Sequence, residues 1–227
     1  MSIQKPELVL LDLDGTLVDS IPDLARCLNL ALTDHGHQTF ELAAIRNWVG
    51  NGVDKLIHRA LTKTIDGIAK TERHAKVKTS FMEYYRAEPC QLTDCYPGVR
   101  EGLQQLTAEK IIMGVVTNKN EEFVEPILAK LGINQFMQII IGGNTLSERK
   151  PHPMPLLHAA EKFNKKPANS MMIGDSISDV GAAKAAGFQI VCVSYGYNHG
   201  QDIRDSKPDA VIDSLEEITK LFQAATC

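Results

Sequence analysis

Leu8-Val9-Leu10-Leu11, followed at once by Asp12-Leu13-Asp14-Gly15-Thr16-Leu17-Val18-Asp19-Ser20, is the stretch that decides the fold. Four consecutive apolar residues ahead of turn residues suit a short strand buried on both faces of a sheet. The middle of such a strand does not tolerate carboxylates, so the two aspartates mark the C-terminal edge of the sheet. In open α/β sheets that edge is where ligands bind. Asp12 and Asp14 are two residues apart, so an extended backbone would start both side chains on the same face. Carboxylates held that close repel each other, which raises one pKa unless a cation lies between them. A hard divalent ion such as Mg²⁺, with oxygen ligands, resolves the conflict. Asp and Gly are also ordinary residues of a solvated turn, and this stretch alone does not separate the two readings.

Downstream, the pattern changes twice. After the first strand, Ser20 is expected to cap a helix with Pro22 in its first turn, and Leu24, Leu28 and Ala31 recur at helical spacing. Further helical segments follow over 41–48, 53–62 and about 68–86, broken by Gly50-Asn51-Gly52, with no alternating strand pattern among them. A helical block of this size directly after the first strand reads as an inserted domain, residues 17–89. Residues 1–16 and 90–227 then form the α/β core. From Pro97-Gly98 onward the rhythm is regular. Strands are expected over 111–116, 138–141, 171–173, 190–193 and 210–212, with helices over 99–106, 121–131, 153–163, 179–186 and 215–222. Gly132 and Gly187 close two of these helices. Alternation of this kind implies a parallel sheet with helices on both faces. Asp12/Asp14, Thr117/Asn118 and Asp175 each follow an apolar strand directly, so all should gather along one edge.

The bulk properties narrow the function classes. The chain has 227 residues, 44% hydrophobic and 23% charged, which is an ordinary globular composition. A net charge of −4 without a basic stripe argues against nucleic acid or an anionic membrane as partner. It also means that an anionic substrate must be attracted by a local site. No apolar stretch reaches the length of a membrane span, and Lys5-Pro6-Glu7 ahead of the first strand does not read as a signal peptide. The five cysteines, Cys27, Cys90, Cys95, Cys192 and Cys227, are odd in number and scattered, without a Cys-x-x-Cys spacing. Neither a disulfide framework nor a zinc site is expected, and the expected compartment is the cytoplasm.

Four motifs in order resemble the signatures of the haloacid dehalogenase superfamily, in particular its phosphatase branch. They are Asp12-x-Asp14-Gly15-Thr16, Thr117 at the end of a strand, Lys150 in Lys150-Pro151-His152-Pro153, and Gly174-Asp175-x-x-x-Asp179. The resemblance covers essentially the whole chain and implies a Rossmann-like parallel-sheet core with an inserted small α-helical cap. It further implies catalysis through an aspartyl-phosphate. Asp12 would be the nucleophile. Asp14 would protonate the leaving alkoxide and then deprotonate the hydrolytic water. Mg²⁺ would be held by the Asp12 carboxylate, the Asp14 backbone carbonyl and the Asp175 carboxylate, with Asp179 ordering the shell. Thr117 and the Asn118 backbone would hydrogen-bond the phosphoryl oxygens, and Lys150 would neutralise their charge. Dehalogenases generally lack an acid at the position of Asp14, so its presence favours phosphate chemistry.

Shorter stretches resemble the bacterial phosphoglycolate phosphatase subfamily. They include Trp48-Val49-Gly50-Asn51-Gly52, Tyr96-Pro97-Gly98-Val99, Val116-Thr117-Asn118-Lys119 and Ser194-Tyr195-Gly196-Tyr197-Asn198. The substrate this implies is 2-phosphoglycolate, a small phosphorylated acid. Gly143-Asn144 and Ile177-Ser178 depart from the usual pattern there, which keeps another small phosphate ester, or a β-phosphoglucomutase-like phosphoryl transfer, open. A phosphonoacetaldehyde hydrolase would need a Schiff-base lysine in the cap, and none of Lys55, Lys63, Lys70, Lys76 or Lys78 lies in a stretch resembling that motif. A receiver-type signalling module also combines acidic residues, Thr and Lys, but has no helical insertion after its first strand. Arg46 and Lys55 are candidate partners for a substrate carboxylate. Lys119 is expected to be a surface lysine, His152 structural, Asp179 an N-cap as well as a metal-shell residue, and Met171 and Met172 core residues. A monomer or a homodimer is expected.

Overall fold

In the computed structural model, which describes residues 3–223, six parallel strands form one sheet in the order β5-β4-β1-β6-β7-β8. They are β1 (Leu8–Leu11), β4 (Ile112–Val116), β5 (Ile139–Ile141), β6 (Ser170–Gly174), β7 (Gln189–Val193) and β8 (Ala210–Ile212). β1 lies between β4 and β6, so the quoted apolar run is central and wholly buried. Its period of two is visible in the packing. Val9 and Leu11 join the core on one face of the sheet, while Leu8 and Leu10 join the core on the other. Met171 and Met172 of β6 divide in the same way, and both are core residues. The chain moves outward from β1 through β4 to β5, then returns across the sheet to β6. That reversal opens a crevice at the C-terminal ends of β1, β4 and β6.

Helices α5 (Val99–Ala108), α6 (Glu121–Lys130), α7 (Met154–Lys162), α8 (Ile177–Ala186) and α9 (Ile218–Gln223) accompany these strands. Gly132 follows α6 and Gly187 ends α8, both at positive φ as helix-terminating glycines require. The helical block consists of α1 (Ile21–Asp34), α2 (Leu42–Arg46), α3 (Val53–Thr62) and α4 (Thr71–Ala87). It has a hydrophobic core of its own, built around Leu28, Ile57, Phe81 and Tyr85, which also takes in Phe123 and Ile127 of α6.

One local expectation is corrected. Ser20 does not cap α1: its backbone is already in the helical region, and its buried hydroxyl makes no hydrogen bond among the described residues. The two chain crossings into and out of the helical block meet each other. They pair as a short antiparallel ribbon, β2 (Val18–Asp19) with β3 (Asp94–Cys95), and Asp23 clamps it. The Asp23 carboxylate is fully buried and accepts hydrogen bonds from Leu92 N (2.8 Å), Thr93 N (2.8 Å) and Thr93 Oγ1 (2.7 Å). Cys27, Cys90, Cys95 and Cys192 are free thiols, and Cys227 lies outside the described residues. No helix among the described residues is long and apolar enough to cross a membrane.

Candidate active site

The carboxyl edge of the sheet gathers Asp12, Asp14, Thr117, Asn118, Lys150 and Asp175, each delivered by the end of a strand or the loop after it, and Asp179 from the first turn of α8. The chain turns sharply after β1. Gly15 has φ +88°, and a Cβ there would collide with the Asp175 carboxylate, so this position is closed to any side chain. Thr16 then donates from Oγ1 to Asp175 Oδ1 at 2.8 Å, and Tyr197 N donates to Asp175 Oδ2 at 2.6 Å. Asp175 is thus fixed between the first loop and the loop after β7.

Asp12, Asp175 and Asp179 form a buried cluster in which one carboxylate oxygen of each lies within 4.8 Å of the others. Lys150 is inserted beside it, 3.1 Å from Asp12 Oδ1 and 2.6 Å from Asp179 Oδ1. Burial works against the Lys150 charge, but Asp12 and Asp179 outweigh it and hold the ammonium above its ordinary pKa. Burial likewise pushes Asp12 up to about 6, with Lys150 pulling the other way and Asp179 and Asp14 adding to the rise. Asp175 is raised well above the usual carboxylate range by burial, Asp179 and Asp12. Leu13 N donates to Asp12 Oδ1 at 2.7 Å, whereas Asp12 Oδ2 makes no protein hydrogen bond among the described residues. That oxygen is left for a ligand.

Asp179 is not the N-cap of α8. Ser176 is, and Asp179 occupies the third helical position of a capping box. Its Oδ2 accepts from Asp175 N (3.2 Å), Ser176 N (3.0 Å) and Ser176 Oγ (2.7 Å). With Lys150 on Oδ1, both of its oxygens are engaged, which suits a supporting role behind Asp12 and Asp175.

Lys119 departs most from expectation. It is buried rather than on the surface, and its Nζ lies 3.0 and 3.1 Å from the two carboxylate oxygens of Asp14. Asp14 therefore points its side chain to Lys119 and away from the three-carboxylate cluster. Thr117 Oγ1 accepts from Lys119 N at 3.3 Å, and Asn118 Nδ2 donates to Lys150 O at 3.0 Å, leaving Asn118 Oδ1 buried without a partner among the described residues. Close packing of Gly143 against the Asn118 backbone keeps this loop pressed to the sheet edge.

Neither candidate carboxylate partner reaches the site. Arg46 pairs with Asp19 Oδ2 at 3.1 Å and stacks over Tyr197, and Lys55 is exposed. His152 is exposed, and its Nδ1 accepts from Met154 N at 3.2 Å, a local turn contact.

Above Asp12 and Asp14 is a cavity of about 50 Å³ between the helical block and the sheet edge. The core lines it with Thr117, Asn118, Lys119, Asn120 and Phe123. The helical block adds Leu24, Val49, Val53 and Leu56, two glycines, and Tyr85 as its only polar side chain.

The residues fit a divalent metal on charge and donor type. Four carboxylates (Asp12, Asp14, Asp175 and Asp179) face two ammonium groups (Lys119 and Lys150), which leaves two negative charges unmatched in a desolvated place. All available donors are oxygens, the ligand type of a hard divalent cation. A cation of that kind would polarise a phosphoryl group and lower the cost of ionising Asp12 and Asp175.

The comparisons with known proteins agree with this geometry. The family model of haloacid dehalogenase-like hydrolases matches residues 9–193. A phosphoglycolate phosphatase of Nitrosococcus oceani is 50% identical over 223 residues, covering 98% of this chain and 99% of its own. A phosphoglycolate phosphatase of Pseudomonas putida is 45% identical over 214 residues, covering 94% of this chain and 78% of its own. A crystal structure from Haemophilus somnus, described as that of a "predicted phosphoglycolate phosphatase", matches with a TM-score of 0.90 at 37% identity, covering 96% of this chain and 99% of that one. The chain belongs to the haloacid dehalogenase-like hydrolase family and is a hydrolytic enzyme.

Proposed function

We propose that this enzyme is a Mg²⁺-dependent phosphatase that hydrolyses a small phosphorylated acid, 2-phosphoglycolate, to glycolate and phosphate. The observation that carries the reading is Asp12 itself. One of its oxygens is held by Leu13 N and Lys150, the other makes no protein hydrogen bond among the described residues, and Asp12 lines the cavity. A carboxylate fixed in this way is set to attack phosphorus in line, giving an aspartyl-phosphate. Asp14, two residues on and lining the same cavity, gives a proton to the departing glycolate oxygen and later takes one from the attacking water. Thr117 Oγ1 and the Asn118 backbone receive the phosphoryl oxygens, and the Lys150 ammonium offsets their charge. The Asp12 carboxylate, the Asp14 carbonyl and the Asp175 carboxylate would hold Mg²⁺, which would supply positive charge beside the phosphoryl group, and Asp179 orients Lys150 and the Asp175 loop.

Residues 17–89 act as a cap over the core made by 1–16 and 90–227. The cap gives the cavity one polar side chain, Tyr85, against four apolar ones. A sugar ring would bury hydroxyls there without partners, which favours a short acid over a β-phosphoglucomutase-like substrate. The 50%-identical relative named phosphoglycolate phosphatase supports the same substrate. The free thiols Cys27, Cys90, Cys95 and Cys192 support a cytoplasmic location.

The test is phosphate release with Mg²⁺ across a panel of small phosphate esters, wild type beside Asp12→Asn. A preference for 2-phosphoglycolate that disappears in the variant is expected. Activity surviving in Asp12→Asn would assign the nucleophile elsewhere.

A further inference from the structure

Two polar groups in the cavity are left over by the phosphoryl chemistry. Lys119 is the only cationic residue lining it among the described residues, although the side chain is just 5% exposed. Tyr85 is 1% exposed and lines the same space, and its hydroxyl has no hydrogen-bond partner among the described residues. The two are neighbours: Lys119 Nζ lies 4.9 Å from the centre of the Tyr85 ring. An unpaired buried hydroxyl costs roughly 1–3 kcal/mol and is retained where a ligand completes it. The buried Lys119 ammonium faces the cavity with Asp14 as its one anionic partner among the described residues, and a burial of that kind favours an anion at the site. Phosphate recognition does not require Lys119, because Lys150 already stands beside Asp12.

We propose that Lys119 and Tyr85 anchor the second anionic group of the substrate, its carboxylate, and set the specificity for a phosphorylated short-chain acid. The inference rests on the phosphatase reading above and names which residues read the acid. In the structure the Asp14 carboxylate occupies Lys119 at 3.0 and 3.1 Å, standing in the place the substrate carboxylate takes. A bound substrate carboxylate draws the Lys119 ammonium to itself, accepts the Tyr85 O–H, and leaves the Asp14 oxygens turned to the ester oxygen. The two anionic groups of the ligand must then be close together. Asp12 and Lys119 line one small cavity, and Asp14, two residues from Asp12, touches Lys119. A two-carbon acid keeps its two anionic groups that near, and Leu24, Val53 and Leu56 offer its methylene an apolar wall.

The experiment compares 2-phosphoglycolate with 2-hydroxyethyl phosphate, which has a hydroxymethyl group in place of the carboxylate. Both are assayed as substrates of wild type, Lys119→Gln and Tyr85→Phe. Their binding is measured by calorimetry with Mg²⁺ in an Asp12→Asn background with and without Lys119→Gln. Loss of a charge-assisted hydrogen bond lowers the ratio of kcat/KM values, carboxylate over alcohol, about 10- to 100-fold for Lys119→Gln. Tyr85→Phe lowers it by a smaller factor, and the affinity ratio in the Asp12→Asn background moves the same way. Equal losses on both ligands would mean that Lys119 serves only to position Asp14, and would overturn the proposal. A wild-type enzyme that prefers the acid, with the preference intact in both variants, would also overturn it. A wild type that hydrolyses neither ester would refute the phosphatase reading instead, so the two failures are distinct.

Discussion

Replacing Asp12 by Asn should make the metal-free protein more stable while abolishing turnover. Burial raises the Asp12 carboxyl from 3.8 to about 6, against the attraction of Lys150, so ionising it at neutral pH strains the fold. A rise of about two units corresponds to about 3 kcal/mol at 1.36 kcal/mol per unit. The sign follows from linkage. A carboxyl held above its unfolded value favours the fold below about pH 4, and that contribution is lost as the pH rises through about 6. Asparagine mimics the protonated form, its amide oxygen can still accept from Leu13 N, and Lys150 keeps Asp179. In EDTA at pH 8 the variant should therefore unfold at a temperature roughly 6–12 °C higher, the change expected of about 3 kcal/mol in a chain of this size. The advantage should shrink as the pH falls from 6 towards 4. Saturating Mg²⁺ should offset it, since a ligand at a hundred times its Kd adds about 2.7 kcal/mol to the wild type. Paired thermal melts over pH 4–8, with and without Mg²⁺, test this. An Asn variant no more stable than wild type at pH 8, or one whose gain does not vary with pH, would refute the reasoning.

Other consequences are simpler to read. Gly15→Ala should cost about 1–3 kcal/mol from the positive φ alone and push Asp175 out of place, so Mg²⁺ affinity falls with stability; unchanged metal binding by calorimetry would contradict the packing. Asp23→Ala leaves the buried Thr93 N–H and hydroxyl and the part-buried Leu92 N–H without their acceptor and should lower the denaturant-unfolding free energy by roughly 3 kcal/mol. Mg²⁺ affinity of the wild type should weaken on going from pH 7 to pH 5, because burial holds Asp12 and Asp175 above the usual carboxylate range and protons compete for both. An affinity constant over that interval would exclude these carboxylates as the ligands.

The strand ends, and with them the edge where Asp12, Thr117, Lys150 and Asp175 meet, were legible in the sequence for a definite reason. A parallel strand buried on both faces must be a continuous apolar run, so the first polar residues after it announce the ligand-binding edge. The helical insertion was visible because a period of 3.6 over several turns cannot be mistaken for alternation. The β2–β3 ribbon was not, since two-residue strands carry no period and their partners lie at opposite ends of the insertion. Lys119 looked like a solvated loop lysine because its environment is not local: Asp14 is 105 residues away, and Tyr85 arrives from another helix. Arg46 erred in the opposite direction, close to the glycine loop in the sequence yet bound to Asp19 in space. Ser20 had the residue type of a helix cap and the wrong backbone conformation for one. Residue type and period report how a segment meets solvent and sheet, and that much the sequence determined by itself. Which charges face each other across the cavity depends on the crossovers that bring distant loops to one edge, and only the tertiary structure decided it.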